Sequence, residues 1–147
     1  MGRIGTNKVK PTKSSLLHGS ETWRLTENNK RRVEATEMDV LRRSSRISRK
    51  ERIRNVTIRQ QIGLEETIIK EIEQNQVTWY GQVQRMAEGR LPKIALKWMP
   101  KQKRARGRPK KNWMEGIRTA MNERNLSGQW EDRKQWSLGV GQRRKTF

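Results

Sequence analysis

A long gap in the apolar pattern constrains the fold of this chain more than any single motif. Between Met99 and Trp113 there is no aliphatic residue larger than Ala, so this stretch has no apolar face with which to join a packed core. Seven of the eleven residues from 101 to 111 are Lys or Arg, and none is acidic. We therefore predict a solvated basic linker over residues 100–112, with packed segments before and after it.

The composition of the whole chain allows only a small core. Leu, Ile, Val and Phe together supply 27 of the 147 residues, a share typical of disordered proteins, whereas six Trp residues indicate that some packing occurs. The 35 Lys and Arg exceed the 15 Asp and Glu, and the net charge of +20 favours a polyanionic partner such as RNA or DNA. The predicted fold class is mostly α: a small, marginally packed helical domain with a long basic linker and disordered termini.

Two helices are predicted in the first half of the chain. The first begins at a Thr26 cap and is expected to fray at Ser44 and Ser45, where a buried helix would need bulky side chains. The second is short and runs from a cap at Asn55 to Gly63, which suits a helix C-terminus.

The strongest helical pattern runs from Glu65 to Met86. Glu65 and Glu66 are expected in its first turn, where acidic side chains complement the helix dipole. Gly81 is expected to weaken the helix by about 1 kcal/mol relative to Ala. The apolar residues that recur at spacings of three and four are Ile68, Ile69, Ile72, Val77, Trp79, Tyr80 and Val83.

The segments after this helix are predicted from Pro92 and from a helix cap. Residues 90–96 are expected to be extended, because Pro92 disfavours the helical region for the residue before it. Asn112 and Glu115 resemble a capping box, and Ser127 is a candidate cap for a last turn. The resulting organisation is a disordered basic lead-in (1–13), a helical region (14–99), the linker (100–112), a helical segment (113–137) and a basic tail (138–147).

The chain is poorly supplied with catalytic residues. Two-metal nucleotide chemistry needs a cluster of carboxylates, and the only Asp residues are Asp39 and Asp132. A nucleophilic triad needs a His as base, and the single His18 has no Cys partner. There is no phosphate-binding Gly-rich loop and no set of Cys and His for zinc. We therefore expect no enzymatic activity, no cofactor, no metal and no small-molecule substrate.

The linker is the candidate binding site, and two interpretations of it stay open. One is direct contact with nucleic acid, and the other is a plain solvated linker or an import signal. A sharper form of the first places Arg106 and Arg108 in the minor groove of A·T-rich DNA, with Gly107 near the groove floor and Pro109 stiffening the exit. The candidate nucleic-acid-binding residues are Lys101, Lys103, Arg104, Arg106, Gly107, Arg108, Pro109, Lys110 and Lys111.

Three aromatic residues and the N-terminus carry further signals. Trp79, Tyr80 and Trp113 are candidates for stacking on bases, although their helical spacing favours core packing.

Gly2 and Thr6 match the myristoylation pattern, but so short a match does not predict a membrane partner. The expected partner is RNA or DNA, and the expected location is the nucleus, or the cytoplasm where the chain is bound to RNA.

Six sequence blocks in a fixed order resemble a known family. They are LLHGSETW (16–23), EMDVLRR (37–43), IRQQIG (58–63), WYGQVQRM (79–86), RLPKIAL (90–96) and KRARGRPKKNW (103–113). In this order they resemble the C-terminal region of the reverse transcriptase polyprotein of non-LTR retrotransposons, over about residues 14–144. The chain departs from the family pattern at four positions: His18 stands where Tyr is usual, Gln82 where His is usual, and Ser44 and Ser45 where apolar residues are usual.

The resemblance implies a remnant of an enzyme. In the family, the endonuclease and the paired-Asp polymerase site precede these blocks, and we expect this chain to lack both. The implied function is nucleic-acid binding by electrostatics with little choice of sequence, without catalysis. Two alternatives stay open: a host chromatin protein with an A·T-hook-like segment, and a ribosomal-type basic RNA-binding protein.

Overall fold

The structure, a computed structural model, describes residues 13–64, 66–99, 101, 106–107 and 112–141. Within these ranges the protein is mostly α, as predicted, and contains no β-strand. The predicted lead-in lies outside the described residues except for its last residue. The helices are α1 (13–17), α2 (Glu27–Ser44), α3 (Asn55–Ile62), α4 (Ile68–Arg85), α5 (Leu91–Lys97), α6 (Trp113–Glu123) and α7 (Arg133–Gly141), with 3-10 turns at Ser20–Thr22 and Arg49–Glu51.

The chain forms two compact units, Met1–Ile72 and Glu73–Phe147, and the boundary falls within α4. The interior of the first unit consists of two small apolar clusters, in keeping with the marginal packing predicted. The buried residues of one cluster are Met38, Leu41 and Ile58, and those of the other are Leu25, Ile68, Ile69 and Ile72.

No helix in the described ranges is long and apolar enough to cross a membrane.

Helices α2 and α3 lie close to their predicted positions. Oγ1 of Thr26 accepts a hydrogen bond from the N–H of Asn29 at 3.3 Å, which confirms the predicted cap. Helix α3 ends at Gly63, whose φ of 77° is the left-handed conformation expected of a glycine stop. The predicted cap at Asn55 is wrong, because Asn55 is the first helical residue and its side chain instead accepts from Arg42 at 2.9 Å.

Helix α2 ends in a Schellman motif. The N–H of Arg46 donates to the carbonyl of Arg43 at 3.3 Å, and the N–H of Ile47 donates to the carbonyl of Arg42 at 3.0 Å. Ile47 also packs against the cluster that contains Leu41. These contacts close the last turn, so the fraying predicted at residues 44–45 is wrong.

The same motif closes α3 and α6, so the left-handed residue can be compared among three helices. Gly63 holds this position in α3 and Asn125 (φ 54°) holds it in α6, and these are the residue types that usually do so. In α2 the residue is Arg46, with φ 56°. Arg52, which follows the second 3-10 turn, is also left-handed, with φ 51°. This conformation costs a residue with a Cβ about 1 kcal/mol or more, so the backbone alone favours Gly at both arginines.

A buried ion pair links three elements of the first unit. Glu37 on α2 is 5% exposed, and its carboxylate accepts a hydrogen bond from Arg59 of α3 at 2.5 Å. The same carboxylate oxygen accepts from the N–H of Ile68, the first residue of α4, at 3.4 Å. Glu37 therefore satisfies a backbone group at a helix start, in addition to its charged partner.

Helix α4 is buried on the predicted face but begins three residues late. Glu66 precedes the helix, Glu65 lies outside the described residues, and the acid in the first turn is Glu71. At this start the N–H of Ile68 donates to Glu37, a partner distant in sequence that a local pattern cannot show. The buried residues of the predicted stripe are Ile68, Ile69, Ile72, Val77, Tyr80 and Val83.

The second unit packs around Trp136, which is 2% exposed. Its Nε1 donates a hydrogen bond to the carbonyl of Val77 at 3.2 Å. Gly81 lies against the indole so closely that a Cβ there would stand 2.2 Å from Nε1. Gly81, predicted only to weaken α4, is therefore required by packing. The other buried residues of this core are Val77, Tyr80, Ile117, Ala120, Leu126 and Val140.

Residues 91–96 are not extended as predicted, because they form most of α5. Pro92 occupies the first turn of this helix, where a backbone N–H has no acceptor within the helix. The missing N–H of Pro92 therefore costs no hydrogen bond, and its fixed φ suits the helix. Arg90, which precedes the helix, is extended as predicted, with φ −76° and ψ 136°.

Helix α7 extends past the predicted boundary at residue 137. Oδ1 of Asp132 accepts hydrogen bonds from the N–H groups of Lys134 (2.9 Å) and Gln135 (3.2 Å), so Asp132 is the cap and the prediction of Ser127 is wrong. Val140 is 6% exposed and belongs to the core, although it falls in the predicted basic tail. The basic residues near the C-terminus lie outside the described residues.

Candidate nucleic-acid interface

Three of the nine candidate binding residues lie in the described part of the linker. Lys101, Arg106 and Gly107 are all exposed. Gly107 has a φ of 133°, a conformation that L side chains rarely adopt, so glycine suits this position. The groove geometry predicted for Arg106 and Arg108 stays a prediction. The other six candidates lie outside the described residues; they are Lys103, Arg104, Arg108, Pro109, Lys110 and Lys111.

The linker leads into a well-defined helix start. Oδ1 of Asn112 accepts a hydrogen bond from the N–H of Glu115 at 2.9 Å, which is the Asn half of the predicted capping box. Trp113 then packs against the core of the second unit, and its ring centroid lies 5.5 Å from that of Trp79 in an edge-to-face contact. Ile117, one turn later, is fully buried. The helix that follows the basic segment is therefore anchored in the core.

The aromatic residues considered for base stacking pack mainly against one another. Tyr80 is 9% exposed, and its ring centroid lies 6.4 Å from that of Trp113, 6.2 Å from that of Trp130 and 6.5 Å from that of Trp136. Trp79 and Trp113 are half-buried. Of the two roles left open for these rings, the structure supports core packing.

An exposed apolar face precedes the linker. Leu91, Ile94 and Trp98 recur at helical spacing along and just after α5, and they are 77%, 50% and 68% exposed. The extended backbone predicted for residues 90–96 would not have produced this face. Trp98 stands three residues before Lys101, so an indole that is available for stacking adjoins the basic segment.

A carboxylate and two lysines form a cluster after α4. Lys93 is 8% exposed, and its Nζ donates to the carbonyls of Gln84 (3.1 Å) and Met86 (3.0 Å) at the end of that helix. Its Nζ also lies 2.8 Å from Glu88, whose other oxygen lies 2.5 Å from Nζ of Lys97. Hydrogen bonds from Lys93 and then Lys97 lower the pKa of Glu88 from 4.5 to about 2. Lys93 thus has a structural role and is not free for a ligand.

The cluster predicts an acidic titration for Glu88. Because its folded pKa of about 2 lies below the unfolded value of 4.5, the ionised carboxylate contributes stability above pH 4.5, and this contribution is lost as the pH falls toward 2. Lys97→Ala removes one of the two donors, so the midpoint should rise toward 4.5. NMR titration of the side-chain carboxyl measures this, with Arg90→Ala as a nearby charge control. A Glu88 midpoint near 4.5 in the unmodified chain would contradict the cluster.

The two Asp residues both have structural partners. Asp39 forms an ion pair with Arg49, and Asp132 caps α7. His18 is exposed. Within the described residues, no group of three or more His, Cys, Asp or Glu is arranged to hold a metal ion. These contacts explain both Asp side chains without a metal or a substrate.

A second concentration of positive charge, outside the predicted linker, begins in the last turn of α2 and continues beyond it. Residues 42–54 contain seven Lys or Arg and a single acid, Glu51. Arg42 points inward and donates to the carbonyl of Ile53 at 2.6 Å. The other cations define what we call the arginine turn, residues 43–54, and all of them are exposed: Arg43, Arg46, Arg49, Lys50, Arg52 and Arg54.

The family origin rests on the six ordered sequence blocks, and it stays a proposal. Comparison of the chain with models of protein families, with curated proteins and with solved structures found no match.

Proposed function

We propose that this protein is a non-catalytic, retrotransposon-derived remnant of a reverse transcriptase C-terminal region that binds RNA or DNA electrostatically through residues 101–111. The observation that carries the proposal is the seven cations without an acid in this segment, whose described residues are exposed and which leads into the capped helix α6. Such a segment neutralises backbone phosphates and releases counterions, which gives affinity without reading bases.

Two of the six blocks supply core residues, which supports descent from a folded parent domain. EMDVLRR contains Glu37, Met38 and Leu41, which are buried in the first unit. WYGQVQRM contains Tyr80 and Gly81, which contact the rings at the centre of the second unit. In these two blocks the resemblance includes residues that the core requires, and in a third block it includes the basic linker.

Trp98 adds a contact suited to single strands. Stacking of a base on an exposed aromatic ring contributes about 1–3 kcal/mol and tolerates any sequence. Trp98 is 68% exposed and adjoins the linker, whereas the bases of a duplex are already stacked on one another. We expect single-stranded RNA or DNA to bind more tightly than a duplex of equal charge, and Trp98→Ala to reduce that difference.

The electrostatic proposal predicts a steep salt dependence. If all seven linker cations meet phosphates, the slope of log K against log salt is about −6, and affinity falls by a thousandfold or more between 0.05 M and 0.2 M salt. Changing the seven linker cations to Gln should abolish this term. Fluorescence anisotropy with labelled single-stranded RNA and duplex DNA measures both quantities.

The charge-preserving variant R104K/R106K/R108K is the matched control. Backbone electrostatics predicts nearly unchanged affinity, whereas a minor-groove hook predicts a preference for A·T-rich over G·C-rich duplex that this variant loses. Absence of binding to any of these probes at about 0.05 M salt contradicts the proposed function.

Origin and catalysis have separate tests. Translation of the genomic DNA upstream of Met1 should show reverse transcriptase coding sequence, intact or interrupted; an ordinary promoter with introns there contradicts the origin. Metal-dependent primer extension by the purified chain would contradict the non-catalytic assignment.

A further inference from the structure

The arginine turn presents charge that the fold itself does not use. Five of its six exposed cations form no ion pair with another described residue, the exception being Arg49, which pairs with Asp39. Its one acid, Glu51, is occupied, because its side chain accepts a hydrogen bond from the N–H of Ser48 at 3.0 Å. The turn therefore offers a concentrated positive surface to solvent. The five cations are Arg43, Arg46, Lys50, Arg52 and Arg54.

The backbone that carries these cations is held in place. The Schellman motif fixes the end of α2, and the reciprocal hydrogen bonds of Ser48 and Glu51 form a capping box at the following 3-10 turn. Arg42 bridges the carbonyl of Ile53 and the side chain of Asn55, so the far end of the turn is tied back to α2. Charges on a preorganised backbone lose less conformational entropy on binding than charges on a free tail.

The residues at the two left-handed positions of the arginine turn, Arg46 and Arg52, indicate that the turn binds a ligand. Gly63 and Asn125 hold the equivalent positions of α3 and α6, and either residue type would relieve the strain at Arg46. Both Arg46 and Arg52 are exposed, so packing does not account for their side chains. A strained backbone that carries an exposed guanidinium points to a ligand for the guanidinium, and its planar donors match phosphate oxygens.

We propose that the arginine turn is a second contact for the phosphodiester backbone of nucleic acid, located in the first unit and separate from the linker. The inference rests on the proposed function, since it assigns a further surface to the same class of ligand. Arg46 and Arg52 are six residues apart and so lie at most about 20 Å from each other, a length that about six phosphates of one strand occupy. Both residues can therefore lie within reach of one short stretch of backbone.

The test uses R46G/R52G in the full chain, because glycine suits both left-handed backbone positions while its lack of a side chain removes both cations. We expect its melting temperature, followed by circular dichroism, to be no lower than that of the unmodified chain. Because two cations no longer meet phosphates, the slope of log K against log salt should become less negative by about 2, and affinity at 0.1 M salt should fall about 50-fold. The probes are the labelled RNA and duplex DNA described above.

Two variants separate charge from backbone effects. R46K/R52K keeps the charge and the strain but lacks the planar donors, so it should keep the salt slope of the unmodified chain and lose part of its affinity. R133Q/K134Q removes two exposed cations at the start of α7 and should change the slope less than R46G/R52G does. If R46G/R52G binds nucleic acid as the unmodified chain does, the inference is wrong while the proposed function stands.

The variant with all seven linker cations changed to Gln distinguishes a failure of this inference from a failure of the proposed function. Some nucleic-acid binding should remain in that variant. If R46G/R52G removes this remaining binding, the arginine turn is supported even if the linker contributes little. Loss of binding to anionic phosphatidylserine vesicles in R46G/R52G, with nucleic-acid binding unchanged, would assign the surface to a membrane and overturn the inference.

Discussion

Gly81→Ala is expected to destabilise the second unit by about 3 kcal/mol, although helix propensity alone predicts a gain of about 1 kcal/mol. A Cβ at residue 81 would stand 2.2 Å from Nε1 of Trp136 and 2.7 Å from Cδ1 and Cε2. The indole must therefore move, and it loses its hydrogen bond to the carbonyl of Val77. Since Trp136 is at the centre of the core, its neighbours must move with it. Urea unfolding followed by near-ultraviolet circular dichroism measures the change.

Gly116→Ala is the matched control for this prediction. Gly116 lies within α6, in the same unit, and a Cβ there meets no atom within 4 Å. This variant should gain up to about 1 kcal/mol from helix propensity. G81A/W136F tests the cause, because the smaller ring makes room for the Cβ, and the added cost of G81A should be smaller in that background. If Gly81→Ala stabilises the protein as Gly116→Ala does, the close packing of Gly81 and Trp136 is contradicted.

The parts of the fold that the sequence predicts correctly depend on neighbours along the chain. The caps at Thr26 and Asn112, the stop at Gly63 and the apolar stripe of α4 are all encoded within a few residues. Gly81 is different, because the residue that gives it its role, Trp136, stands 55 positions later. A single sequence shows the helix-weakening effect of such a glycine and not the ring that covers it.

The candidate site shows the same limit. The linker can be recognised in the sequence because it contains no aliphatic residue larger than Ala. The arginine turn is interrupted by Ile47 and Ile53, which pack inward, and so its sequence pattern predicts part of a helical region instead of a charged surface. The exposed face of Leu91 and Ile94 was not predicted for another reason, since a local rule about Pro92 predicted strand-like backbone where the chain forms a helix.

Glu37→Ala is expected to cost the first unit about 4 kcal/mol, because it leaves a buried cation without its partner. The side chain of Arg59 is only 13% exposed, so water cannot fully replace the carboxylate 2.5 Å away. The N–H of Ile68 at the start of α4 loses an acceptor as well. The loss should therefore appear in all three helices that meet at Glu37. Hydrogen exchange of the backbone amides in α2, α3 and the first turn of α4 measures it.

Two further variants show whether charge or packing causes the loss. Glu34→Ala makes the same chemical change one turn earlier in α2, at a residue that is not fully buried, and should cost less than about 1 kcal/mol. Glu37→Met leaves Arg59 unpaired, whereas the double variant E37M/R59M removes both charges and replaces them with apolar volume. Because burying two ions costs desolvation energy, the double variant should recover most of the stability that E37M loses. A double variant that is less stable than E37M would mean that each residue acts through its own packing, and that the ion pair is not what joins the three helices.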